Sequence, residues 1–284
     1  MSIRLVVGAV TDVGLVRDHN EDGYLVDEAV GLLAVADGMG GHLGGEVASA
    51  TALAALRRAL ADNGDLGRSV EIANDVVFER SISDRALRGM GTTLTAGLID
   101  DDGHLLIGHV GDSRAYLWRD QQLSRLTTDH SLVEELMAAG ELTEEEAERD
   151  PRRSMITRAL GLEPNVTVDL YTVDLVAGDR IVLCSDGLTS MVRESEAVAI
   201  LAVESDPARA ARHLVEAANA AGGVDNTTVV VADIVVADPS EPITAILVDD
   251  PDDEDDDADD DTDELEPEEL LDPPRRRWWR RRRQ

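Results

Sequence analysis

Two apolar runs in this chain end in the same dipeptide: LLAVADGMGG carries Asp37-Gly38, and RIVLCSDGLTS carries Asp186-Gly187. An apolar strand that leaves the core at a carboxylate holds an oxygen ligand at the rim of a sheet. Two further acids stand in similar places, Asp112 after LLIGHVG and Asp225 just ahead of TTVVVADIVV. Carboxylates at the edges of four strands point to hard divalent cations, because Mg2+ and Mn2+ prefer oxygen ligands. The segment DVGLVRDHNEDGY adds Arg17, with Glu21 and Asp22 four and five residues later. A planar guanidinium can bond two oxygens of a phosphoryl group at once. Taken alone, this segment reads more simply as a surface arginine paired with acidic neighbours.

The glycine-rich ADGMGGHLGG does not fit the dinucleotide pattern G-x-G-x-x-G, because Leu43 occupies the third glycine position. Its glycines instead allow close approach of backbone to a metal, with the Gly38 carbonyl as a ligand. All 26 basic residues are arginine. The absence of lysine removes Walker-type phosphate loops, Schiff-base chemistry and the kinase strand lysine. The single Cys184 excludes an intramolecular disulfide and a cysteine zinc cluster, and its place in IVLCS reads as a buried, inert thiol. Among the histidines, His130 reads as a hydrogen-bonded link from loop to core and His109 as a sheet or core residue. His19, His104 and His213 read as solvent-facing. Tyr116 and Trp118 lie in a strand pattern and read as packing residues.

The elements that must position these groups follow from periodicity. Strand patterns open the chain at IRLVVGAVTD, YLVDE and GLLAVAD; helical spacing follows in EVASATALAALRRALAD and SVEIANDVVFERS. A meander runs through TLTAGLID, a turn at Asp102-Gly103, HLLIGHVG, RAYLW and QLSRLT. The polar stretch 131–153 breaks the strand pattern, and Thr143 with Glu146 forms a capping box. Strands resume at VTVDLYTVDL and RIVLCS. A helix then runs from an Asp206 N-cap and Pro207 to Gly222, before the strand TTVVVADIVV. Strands that follow strands, with helices between groups, argue for an α+β fold of mostly antiparallel sheets.

The net charge of −33 is uneven. Residues 238–272 hold 19 acids and no base, and the last eleven residues hold seven arginines, which leaves 40 acids and 19 bases for residues 1–237. A body so acidic is a poor partner for nucleic acid. The expected organisation is a catalytic domain over residues 1–237, an acidic disordered linker over 238–274 and a basic Trp/Arg tail over 275–284. No signal peptide and no apolar membrane span are evident, so a cytoplasmic enzyme is expected, with peripheral membrane contact as an option; the expected state is a monomer. Tryptophan among arginines in PRRRWWRRRRQ favours weak contact with a membrane surface or a partner, against an intramolecular clasp or an idle remnant.

In order along residues 5–236, the motifs RDHNED, VADGMGGH, GTTL, GHVGDSRAYL, LTTDHS, ITRALG, LCSDGL and DNTTVVV resemble the bacterial type 2C, or PPM, metal-dependent Ser/Thr protein phosphatases. The resemblance implies a four-layer α-β-β-α sandwich with two Mn2+ or Mg2+ ions in a cleft at one end. It implies that Asp37 bridges both ions, that the Gly38 carbonyl binds one, and that Asp186 and Asp225 complete the protein ligands. Glu21 and Asp22 match acids that act through coordinated waters, Arg17 the phosphate-binding arginine, and Asp112 the ligand of a weaker third ion. Ser154 falls in the mobile flap of such enzymes. Cations about 4 Å apart lower the pKa of a shared water from near 16 toward neutrality, and that water attacks phosphorus in line without a phosphoenzyme. Either His42 or a water held by Asp112 then protonates the leaving alkoxide. Expected partners are phosphorylated Ser/Thr proteins, kinases and their substrates among them. The alternatives are a catalytically weak phosphoprotein-binding regulator of the same fold, and an unrelated metal-dependent phosphohydrolase acting on nucleotides or small esters.

Overall fold

The computed structural model describes residues 3–40, 43–100 and 103–236. The chain begins with β1 (Ile3–Asp12), β2 (Asp22–Asp27) and β3 (Leu32–Met39), then α1 (Gly44–Asn63) and α2 (Leu66–Ser83). A meander follows: β4 (Gly91–Thr92), β5 (Leu94–Ile99), β6 (His104–Val110), β7 (Arg114–Arg119) and β8 (Gln122–Arg125). After the short helices α3 (Leu132–Ala138) and α4 (Glu144–Arg149) come β9 (Asp169–Asp174) and β10 (Arg180–Cys184). The segment closes with α5 (Asp186–Thr189), α6 (Glu194–Val203), α7 (Pro207–Ala220) and β11 (Thr227–Val236).

Every strand pair is antiparallel, in two sheets ordered β1-β11-β10-β7-β8 and β2-β3-β5-β6-β9, with β4 added beside β3. The apolar side chains sort into three layers. Leu33, Val35 and Ile107 of one sheet pack against Ile181, Leu183 and Val230 of the other. On the outer face of the second sheet, Leu32 and Ala34 meet Leu56 of α1 and Val70 of α2. On the outer face of the first, Val182 and Val229 meet Leu201 of α6 and Leu214 of α7. The expected four-layer sandwich is thus present. With both faces covered, β10 is buried at every position, the pattern of a two-sided core strand.

The capped helices follow the sequence closely. Asp206 accepts from the Ala208 and Arg209 amides with Pro207 in the first turn, and Thr143 and Glu146 complete the capping box on α4. Three expectations need correction. β3 does not stop at Asp37; it continues through Gly38 to Met39, because β4 supplies a further partner, pairing Gly38 with Thr92. β10 ends at Cys184, so Asp186 is the first residue of a helical turn and not a strand terminus. Helix α6 stands where no helix was expected. Its N-cap Arg193 makes no side-chain cap bond and its apolar residues form no marked stripe, so neither signal announced it. The expected turn residue Asp102, the linker 238–274 and the tail 275–284 lie outside the described residues. Among those described, no helix is long and apolar enough to cross a membrane.

Candidate active site

The acids gather at the end of the sandwich where β10 finishes and β11 begins. Asp22 and Asp37 are direct partners on β2 and β3, a like-charge pairing that a sheet ordinarily avoids. Asp37 is fixed by its backbone: its N–H donates to Thr93 Oγ1 at 2.9 Å, and its carbonyl accepts from the Thr93 N–H at 2.8 Å. The Thr93 hydroxyl also shares a 2.7 Å bond with Ser113 Oγ, tying the Asp37 strand to the loop that carries Asp112. Gly38 is required by close approach. A Cβ there would lie 2.1 Å from the Gly45 carbonyl oxygen and 2.5 Å from that of Glu21. Gly187 answers a similar demand, since its Cβ would fall 1.9 Å from the Asn226 carbonyl oxygen. That contact sets the Asp186 turn against the loop of Asp225.

Electrostatics mark the cluster as incomplete without a cation. Burial, with the charges of Asp22, Asp186, Asp112 and Asp225, holds the Asp37 carboxyl well above the usual range. Burial, with Asp225 adding, also raises Asp186, although a side-chain bond to Asp37 opposes the rise. Asp22 is pushed up to about 7 by burial, with Asp186 and Asp225 adding and a 2.7 Å bond from Ser185 Oγ opposing. Asp112, 6% exposed, is likewise pushed up to about 7 by burial and by Asp186 and Asp129. Buried oxygens Oδ1 of Asp22 and Oδ1 of Asp112 have no hydrogen-bond partner. Among the described residues no three acids close around a single point. Crowded carboxylates, orphaned oxygens and an all-oxygen donor set fit hard divalent cations, which would relieve the like-charge repulsion.

Arg17 borders this cluster and bonds Asp225 Oδ2 at 2.8 Å, the guanidinium side chain being 48% exposed. Burial works against its charge, yet the bond to Asp225 and the fields of Asp225, Glu21 and Asp37 raise its pKa. An exposed pair of this kind exchanges readily, which leaves the fork available to an anion. The loop before Asp22 is set by Asn226, whose role the sequence did not disclose. Its Oδ1 accepts from the Glu21 N–H at 2.9 Å, and its Nδ2 donates to the Val13 and His19 carbonyls, both at 2.9 Å. An Asp-Asn pair ahead of an apolar strand was the only signal available. Ser185, which bonds Asp22 and accepts from the Thr228 N–H, was missed for the same reason.

Ser154 is exposed and lines a cleft of about 840 Å3 together with Asp112 and Asp186. The segment that carries it is anchored at its base, where the Leu132 N–H donates to the Met155 carbonyl and the Thr157 N–H to the His130 carbonyl. His130 is the expected structural link: its Nδ1 accepts from the Gly111 N–H at 2.9 Å, beside Asp112. His109 is fully buried, its pKa pushed down to about 4 by burial and by His130, and Cys184 is buried with its thiol pushed up to about 12. His42 lies outside the described residues.

Residues 16–220 match the family model described as Protein phosphatase 2C. The chain is 40% identical over 236 residues to the serine/threonine phosphatase stp of Listeria monocytogenes serotype 4b, an alignment covering 78% of this chain and 93% of that protein. The fold superposes on the crystal structure of the Mycobacterium tuberculosis serine/threonine phosphatase PstP/Ppp with a TM-score of 0.77 and 41% identity, over 82% of this chain and 100% of that one. A structure of the PstP catalytic domain in complex with two manganese ions gives a TM-score of 0.75 at 41% identity, over 83% of this chain and 100% of that one.

Proposed function

The chain belongs to the protein phosphatase 2C family and is a metal-dependent Ser/Thr protein phosphatase, and from that premise we propose which of its residues perform the reaction. Asp37, Asp186, Asp225 and the Gly38 carbonyl would hold two Mn2+ or Mg2+ ions, Glu21 and Asp22 would act through waters on them, and Asp112 would serve a weaker third ion. When bound, the ions supply Lewis-acid charge and lower the pKa of coordinated water. Arg17 leaves Asp225 to fork onto the phosphoryl oxygens, orients the ester for in-line displacement and balances charge on its equatorial oxygens. Asn226 keeps the Arg17 loop in register with Asp225. The proton for the leaving serine or threonine oxygen comes from His42 or from water ordered by Asp112. Ser154 and the segment around it border the protein part of the substrate.

The observation that carries this reading is the set of buried, mutually repelling carboxylates with two orphaned oxygens beside an exposed arginine. Substrates are phosphorylated proteins. In the cell we take them to be bacterial Ser/Thr kinases and the proteins they phosphorylate, met by a monomeric, cytoplasmic enzyme. Only the composition of the tail, with Trp278 and Trp279 among arginines, supports weak contact with a membrane surface. The test is hydrolysis of a phosphothreonine peptide with Mn2+, with chelator, and with Asp37→Asn. Turnover is expected only in the first condition. Equal turnover in all three would sink the ligand assignment.

A further inference from the structure

Beside Arg17 the surface becomes apolar. Leu15 is 69% exposed, Val16 63% and Val224 50%. They sit on two loops fastened to each other at both ends. The Leu15 N–H donates to the Gly223 carbonyl at 2.7 Å, and Arg17 Nη2 donates to Asp225 Oδ2 at 2.8 Å. Val16 and Val224 fall between these two ties.

The loops are also tied from beneath. The Gly14 N–H donates to Asp12 Oδ1 at 2.8 Å, the same oxygen accepts from Asn219 Nδ2 at 3.1 Å, and Asn226 Nδ2 holds the Val13 carbonyl at 2.9 Å. Gly14, at φ +79°, has the Asp225 carbonyl oxygen 2.4 Å from where a Cβ would be. Single exposed apolar residues are common on protein surfaces, but a fastened cluster of them marks a contact surface. This cluster is continuous with the arginine that receives the phosphoryl group.

We propose that Leu15, Val16 and Val224 form a specificity shelf that takes an apolar side chain of the substrate protein, one or two residues from the phosphorylated Ser or Thr. The inference rests on Arg17 as the phosphoryl-holding group. Residues of an extended peptide advance about 3.4 Å each, so with phosphate on Arg17 the side chain reaching Val16 belongs to the nearest neighbours. Asp18, two residues from Val16 in the chain, is exposed. An acidic neighbour in the substrate would be repelled there, so the shelf selects for apolar and against acidic flanks.

The test uses phosphothreonine peptides that differ only in the residues flanking the phosphothreonine, leucine, serine or glutamate on either side, with p-nitrophenyl phosphate as a substrate that has no flank. For the intact chain with Mn2+, kcat/KM is expected to be about tenfold higher for leucine than for serine on one side, mainly through KM, and lowest for glutamate. The triple variant Leu15→Ser, Val16→Ser, Val224→Ser should bring the leucine peptide down to the serine peptide and leave p-nitrophenyl phosphate unchanged. Should the triple variant fail to fold, Val224→Ser alone should halve the preference or more. No flank preference in the unaltered chain, or a parallel loss on every substrate in a folded variant, overturns the shelf. Failure of the underlying reading looks different: Arg17→Ala would leave KM for p-nitrophenyl phosphate unchanged.

Discussion

At one end of β10, Arg180 forks onto Asp233 and bonds the carbonyls of Glu204 and Ser205, while Arg119 forks onto Asp179, which is only 1% exposed. At the other end, Asp186 meets Asp37, with Asp22 and Asp112 close by, and no arginine forks onto any of the four among the described residues; the nearby Arg114 is taken by Asp129. The two poles bury the same kind of side chain. One supplies its own cation for each carboxylate, and there the acids act as fasteners. The other has no such partner among the described residues, and its crowded acids are pushed up in pKa and suit a divalent cation. A buried carboxylate is therefore informative through its partner rather than through its burial.

Removing a proposed metal ligand from the acidic pole should have the largest effect. Asp186→Asn is expected to cut Mn2+-dependent kcat by about a thousandfold or more, because the ions carry most of the charge stabilisation. The melting temperature of the metal-free protein should hold or rise, since a like charge is gone. A fall of several degrees would contradict the account of repulsion. At the neutralised pole the pattern inverts: Arg180→Ala should destabilise the fold by about 3 kcal/mol in denaturant titration, leaving Asp233 unpaired, while turnover per folded molecule is unchanged.

The third expectation concerns pH. Burial and neighbouring acids push Asp22 and Asp112 up to about 7 in the folded, metal-free chain, well above the ordinary carboxylate range. Between roughly pH 4 and 7 the folded state therefore binds more protons than the unfolded state, and stability falls as pH rises through that window. In chelator the melting temperature should drop by about 5 °C from pH 5 to pH 7.5. Saturating Mn2+ should abolish or reverse the slope, and an unchanged slope would separate the raised acids from metal binding. The smallest expected effect is Arg17→Ala, with KM for a phosphothreonine peptide up about tenfold and kcat less affected. A change in kcat alone would remove Arg17 from phosphate binding.

What could be read from the chain depended on whether a residue's partner was local. Asp206 and Thr143 announce their helices because an N-cap closes within three residues, and Asp37 and Asp186 announce themselves by ending apolar runs. The course of β3 past Asp37 depends on β4, whose Gly91–Thr92 lies more than fifty residues away and is too short to show a period. Asn226 and Ser185 do their work through bonds to residues 207 and 163 positions distant, so nothing in their own neighbourhoods betrays them. The arginine forks of the neutralised pole were invisible for the same reason. Acids were legible as chemistry, whereas whether each was already neutralised was a property of the assembled sheets.

The pairing of β1 with β11 has a consequence for how the enzyme comes into being. β11 lies between β1 and β10, and Thr11 meets Thr228 across a sequence separation of 217 residues. On a translating ribosome, the N-terminal strand of this sheet must wait without its neighbour until nearly the whole domain has emerged, and contacts so distant in sequence form slowly. Arg17, Asp22 and Asp37 likewise remain apart from Asp225 until that moment. The acid cluster at this end of the sandwich is therefore among the last features of the domain to be assembled, because it closes only when β11 is inserted.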